Sequence, residues 1–130
     1  MVFIYDTYYP PPNLLPVVRK IKDLYLLWCT IHKTLPKAQR YSLGQKIDST
    51  FINLVEATVT AGFLMKSEKI PYVRRGIQKC DTLKVFLLMV WETKAIDNAT
   101  YIALSERLNE IGKMLGGWNG QLTKQNSPQR

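Results

Sequence analysis

The chain has 130 residues, 46% hydrophobic and 22% charged, which is enough for one hydrophobic core, too little for two, and excludes a wholly disordered chain. Eighteen Lys and Arg against ten Asp and Glu leave a formal charge of +8. That excess points first to nucleic acid and second to an acidic protein or membrane surface, and names none of them.

In chain order, residues 1–13 read as an extended arm. Met1 to Asp6 has no basic leader, and Asp6 and the Pro10-Pro11-Pro12 run interrupt its apolar character, so a secretory signal is not expected and cytoplasmic residence is. Asn13 is the expected cap of a first helix that starts near Leu14 and accepts Pro16 in its first turn. Val17, Ile21, Leu24, Trp28 and Ile31 recur at three- and four-residue intervals with Arg19, Lys20, Lys22 and Asp23 between them, which predicts one buried stripe ending before Pro36.

Ser42-Leu43-Gly44-Gln45 has the form of a capping box and predicts the start of a second helix. Its stripe is Leu43, Ile47, Phe51, Leu54, Thr58, Ala61 and Met65, and the small Ala57, Thr58 and Ala61 invite close approach by another helix. Lys66 to Lys69 is expected to end it. Pro71 suits the first turn of a third helix with Val73, Ile77, Cys80, Leu83, Leu87 and Val90 facing the core. Asp97 or Asn98 caps a fourth, with Tyr101, Leu104, Leu108, Ile111 and Leu115 inward and Gly116-Gly117 as a left-handed stop that Trp118 folds back to complete. The expected fold is all-α, an antiparallel up-down-up-down four-helix bundle over residues 14–122, with 123–130 a disordered tail.

The third helix carries more apolar surface than one stripe explains. Val85 to Trp91 is apolar on every side, and such a helix needs cover on more than its inward face, so Val85, Phe86, Leu88, Met89 and Trp91 are the expected homo-oligomer interface, with the arm residues Phe3, Tyr5, Tyr8 and Tyr9 as a further contact. The same run is far short of the about 20 residues a spanning helix needs, so no membrane span is expected.

Eight cations are candidate nucleic-acid ligands: Lys37 and Arg40 before the second helix, Lys66 and Lys69 after it, and Arg74, Arg75, Lys79 and Lys84 along the third. Antiparallel helices gather Lys66, Lys69, Arg74 and Arg75 at one end, where they grip phosphates without reading bases. Lys84 and Asp81 fall on one flank of the third helix and Arg75 and Lys79 on the other. Tyr41, Tyr72 and Tyr101 are read as packing at bundle edges in preference to base stacking, and Trp28, Trp91 and Trp118 as packing residues.

Catalysis is not expected. His32 is the single histidine and has no visible triad, while Glu56, Glu92, Glu106 and Glu110 lack the Glu-x-x-His pattern of helical di-metal sites. Cys29 and Cys80 have no metal-ligand spacing and read as small core residues, and no Gly-rich loop precedes a helix. No cofactor and no metal are expected.

Four local patterns add a family resemblance between Leu35 and Trp118: Leu35-Pro36-Lys37, Arg40-Tyr41-Ser42-Leu43-Gly44, Leu83-Lys84, and Glu110-Ile111-Gly112-Lys113-Met114-Leu115-Gly116-Gly117-Trp118. Together they resemble the accessory variability determinant of diversity-generating retroelements and the related four-helix proteins of ribosomal RNA intervening sequences. The resemblance implies a basic four-helix bundle that forms a barrel-like pentamer, binds DNA or RNA, and associates with the element's reverse transcriptase to support copying of a template repeat, the polymerase supplying all the chemistry. The better-known member places two basic residues four apart on the third helix; the first aligns with Lys84, the second with Leu88. The alternative is a stand-alone four-helix interaction protein of the intervening-sequence type with an acidic protein partner.

Overall fold

The computed structural model describes residues 12–127, so the arm aromatics Phe3, Tyr5, Tyr8 and Tyr9 and positions 128–130 lie outside the described residues. Five helices follow one another: α1 (Pro16–His32), α2 (Lys37–Arg40), α3 (Leu43–Phe63), α4 (Lys66–Glu92) and α5 (Asn98–Gln125). The four long ones form an all-helical bundle, and α2 is a single turn between α1 and α3 that the sequence pattern does not announce. α3 packs against α1 and α4, and α5 closes the ring against both α4 and α1.

The predicted stripes supply the core, except Met65, which is exposed in the connector between α3 and α4. Ile21, Leu24 and Trp28 of α1 meet Ile47, Phe51 and Leu54 of α3, Leu83 and Leu87 of α4, and Leu104, Leu108, Ile111 and Leu115 of α5, all essentially solvent-free. The Trp28 and Phe51 rings lie 6.3 Å apart, and Tyr25 meets Phe51 edge-on at 5.9 Å. Small residues set the tightest helix approach, as expected at Ala57, Thr58 and Ala61. Gly76 of α4 faces them so closely that an added Cβ would stand 3.3 Å from the Thr58 methyl. The Thr58 hydroxyl is buried yet satisfied, donating to the Leu54 and Val55 carbonyls at 3.0 Å.

Helix ends depart from the sequence reading in four places, the first at α1, which starts at Pro16 with Leu15 as its N-cap and no side-chain cap where Asn13 was expected. Ser42 stands at the N-cap of α3, but its hydroxyl donates to the Ala38 carbonyl at 2.7 Å and caps nothing, because the α2 turn presents that acceptor first. Asp97, by contrast, caps α5 by accepting from the Thr100 amide at 2.7 Å. α4 starts at Lys66, so Lys66 to Lys69 opens a helix instead of ending one, and Pro71 falls in its second turn. There the proline withholds the amide that the Ser67 carbonyl would accept, a loss water repairs because both residues are exposed.

The last departure concerns where the chain turns left-handed. α5 runs straight through Gly116 and Gly117 to Gln125, neither glycine has positive φ, and the tail predicted from Thr123 is helical for three more residues. Packing overrides glycine propensity here, since Leu122 and Trp118 find Ala61 and Val73 beyond the Gly-Gly pair. Trp118 accordingly sits within the helix and does not fold back over its end. The left-handed residue is Lys94, at φ 65°, where the Lys94 amide donates to Trp91 and the Ala95 amide to Val90, closing α4 in a Schellman turn.

Candidate nucleic-acid interface

The eight candidate cations divide by what already holds them. Lys69 is turned inward: its ammonium donates to the Ala61 carbonyl at 2.6 Å and lies 6.0 Å from the centre of the Trp118 ring. It is occupied with closing α3. Lys84 is drawn to Asp81 at 3.6 Å across one turn of α4, the neutralisation that their shared flank predicts. Arg40 spreads over the Tyr41 ring at 5.4 Å, with its carbonyl accepting from His32 Nε2 at 3.0 Å. Lys37 is exposed beside it on α2, so these two stand at the far end of the bundle from Lys66.

The remaining four lie along the first half of α4. Lys66, Arg74 and Arg75 are exposed near the start of α4, Lys79 follows one turn beyond Arg75, and none of the four forms an ion pair among the described residues. The Asn126 side chain donates to the Lys66 carbonyl at 3.0 Å, which brings the last turn of α5, with exposed Lys124, to the same end. Lys124 was missed by the sequence reading because it was assigned to the tail. Glu68 is the acidic member of this end.

Arg75 and Lys79 share a second feature. They line a groove of about 270 Å³ between α3 and α4 with Asn53, Glu56, Thr60 and Tyr72, and the Arg75 guanidinium lies 5.3 Å from the centre of the Tyr72 ring. Two cations against one carboxylate leave the groove net positive, and their one-turn spacing suits successive phosphates better than a single small anion.

The expected oligomer face is split. Val85, Leu88 and Met89 are exposed and form a stripe at three- and four-residue spacing on the outer side of α4. Phe86 is half-buried against the core. Trp91 stacks on Tyr101 at 4.9 Å and donates its indole N–H to Asn98 Oδ1 at 2.7 Å, so much of its surface is committed within the chain.

Three ionisable groups are shifted among the described residues. Hydrogen bonding with Cys29, then burial and the Asp48 carboxylate, push the Tyr25 phenol upward; burial pushes the Cys80 thiol up to about 11; hydrogen bonds from Thr100 pull the Asp97 carboxyl down. Each moves away from neutrality. Among the described residues no group of three or more His, Cys, Asp and Glu is placed to hold a metal ion, and no helix is long and apolar enough to cross a membrane.

Comparison with known proteins decides the lineage. The model of the bAvd-like family matches residues 15–122, which spans all four long helices nearly end to end. The chain belongs to the bAvd-like family. Among solved structures, it is similar to a crystal structure of a protein of unknown function from the S23 ribosomal protein family of Bacteroides thetaiotaomicron, with a TM-score of 0.74 at 15% identity, covering 80% of this chain and 95% of that one. At that identity the likeness concerns the fold. No curated protein matches. Within this bAvd-like chain the match takes in all eight candidate cations and the Val85–Met89 stripe, and stops short of Lys124.

Proposed function

We propose that this bAvd-like chain is the nucleic-acid-binding accessory subunit of a diversity-generating retroelement, working in the cytoplasm beside the element's reverse transcriptase and contributing no catalytic residue. The observation that carries this is the family match over residues 15–122, joined to the first half of α4, along which Lys66, Arg74, Arg75 and Lys79 stand without ion-pair partners among the described residues. Those cations hold RNA or DNA by its phosphates, so binding is salt-sensitive and largely indifferent to sequence. The Val85, Leu88 and Met89 stripe joins copies into a homo-oligomer, read as a pentamer from the family resemblance, and repetition of those cations around that ring turns weak contacts into avid ones.

The bundle is read as up-down-up-down. Leu15 beside Gly62, His32 beside Gly44, Trp91 bonded to Asn98 and Asn126 bonded to Lys66 support that order, since each pairs the start of one helix with the end of its neighbour. A second reading, a stand-alone four-helix protein of the intervening-sequence type with an acidic protein partner, draws on the likeness to the S23-family structure.

Co-expression with the gene's neighbours separates the two. The accessory-subunit reading expects a reverse transcriptase encoded nearby to copurify with the chain and to lose it when Lys66, Arg74, Arg75 and Lys79 are reversed together, if nucleic acid bridges them, or to keep it after nuclease treatment if contact is direct. A neighbourhood without a reverse transcriptase, or one whose polymerase never copurifies, contradicts it.

A further inference from the structure

Phe63 is 88% exposed, the most exposed large hydrophobic side chain among the described residues, and the core does not account for it. The buried face of α3 runs through Leu54, Thr58 and Ala61, and the helical period carries Phe63 to the opposite side. Met65, which the sequence pattern assigns to the core stripe, is instead 73% exposed in the two-residue connector, directly before Lys66. The tip of the α3–α4 hairpin thus presents an aromatic ring and a thioether with a cation on the next residue.

Phe63 also follows the cationic groove along α3, one helical turn past its lining. Thr60 lines that groove and precedes Phe63 by three residues, which on a helix makes them neighbours one turn apart. Beyond Thr60 the groove continues past Tyr72 to Arg75 and Lys79, so a polymer lying along it with phosphates on those two side chains brings its next residue over Phe63. An apolar ring bordered by net positive charge fits a ligand that is itself flat, apolar on its faces and tethered to anions.

We propose that Phe63 is a stacking platform for an unpaired nucleobase that follows a strand segment whose phosphates sit on Arg75 and Lys79, so that the chain prefers single-stranded or looped nucleic acid to duplex. This rests on the phosphate-binding role proposed above and adds the class of substrate. A duplex satisfies the cations equally well but keeps its bases stacked on one another, leaving Phe63 in water. Every base has a stackable face, so the platform adds affinity without sequence preference.

The test measures fluorescence anisotropy of one labelled mixed-sequence RNA, alone and annealed to its complement, against the full chain and its Phe63→Ala, Phe63→Trp and Arg74→Glu/Arg75→Glu variants. Expected is a loss of about tenfold for the single strand with Phe63→Ala, no change for the duplex, retention with Phe63→Trp, and an unaltered salt slope, because stacking releases no counterions. Arg74→Glu/Arg75→Glu weakens both RNAs. Equal effects of Phe63→Ala on the two RNAs, or none on the single strand, overturn the platform while leaving phosphate binding in place. A smaller assembly by light scattering in Phe63→Ala, with affinity for both forms falling alongside, also overturns it and assigns the ring to contact between copies. Wild-type protein that binds neither RNA removes the platform and the proposed function together.

Discussion

The Lys69 ammonium stands 2.6 Å from the Ala61 carbonyl and 3.4 Å from that of Gly62, closing the C-terminal end of α3 from the first turn of α4. A cation at that pole meets two last-turn carbonyls, that of Ala61 also accepting the Leu64 amide, and the negative end of the helix dipole. Lys69→Met is therefore expected to cost about 1.5–3 kcal/mol of stability, as for a hydrogen bond with one charged partner, and to leave nucleic-acid affinity nearly unchanged. Chemical denaturation beside an oligonucleotide titration checks the pair of outcomes, and a large loss of binding at unchanged stability would return Lys69 to the phosphate-binding set.

Lys94 and Gly116 invert the usual assignment of glycine to helix ends. Lys94 occupies the left-handed position after α4, whereas Gly116 lies mid-helix with nothing within 4 Å of an added Cβ. Lys94→Gly is expected to stabilise the fold by about 1 kcal/mol through relief of left-handed strain. Gly116→Ala is expected to add about 0.5–1 kcal/mol by restricting the unfolded chain and favouring helix. Thermal unfolding of both variants checks this, and a lowered midpoint for Gly116→Ala would mean that another chain approaches that helix face closely.

Much of the fold was legible because apolar period and burial express the same constraint. Ile21, Leu24 and Trp28, or Leu104, Leu108, Ile111 and Leu115, are inward in sequence pattern and solvent-free in the bundle. What period cannot show is which polar group reaches an end first. Ser42 finds Ala38 and Lys69 finds Ala61, contacts made by chain folding back on itself, and both changed a predicted role. Leu122 explains the missed extension of α5: one buried residue past Gly116-Gly117 outweighs the stop signal that those glycines give locally. At the candidate site, charge placement on α4 was readable, and Phe63, two residues past Ala61 and off the predicted stripe, could have been found from helix phase but was not singled out.

Val85 and Met89 are 54% and 45% exposed on the outer stripe of α4, and the proposed oligomer covers them. Val85→Glu with Met89→Glu is expected to give a folded, smaller species by light scattering, helical signal intact, because no core contact is removed. An unchanged assembly mass would place the interface elsewhere.

The Cys80 thiol is raised from its ordinary 9.0 to about 11 mainly by burial, with Lys84 opposing and Asp81 reinforcing the shift. A folded-state value above the unfolded one means that its contribution is fully present below about pH 9 and is lost as pH rises through about 11. Stability should therefore decline across that alkaline window, less steeply in Cys80→Ala, and thiol reagents should modify half-buried Cys29 well before Cys80. Equal labelling rates under native conditions would contradict the burial on which this rests.

The most direct measurement of the central claim is the affinity for a single-stranded oligonucleotide across a salt series, for the wild-type chain and for Arg74→Glu/Arg75→Glu. Cations displayed along the first half of α4 predict a linear fall of log affinity with log salt for the wild type, and loss of binding in the variant at an unchanged unfolding midpoint. A salt-independent affinity, or a double variant that binds as the wild type does, would contradict the account.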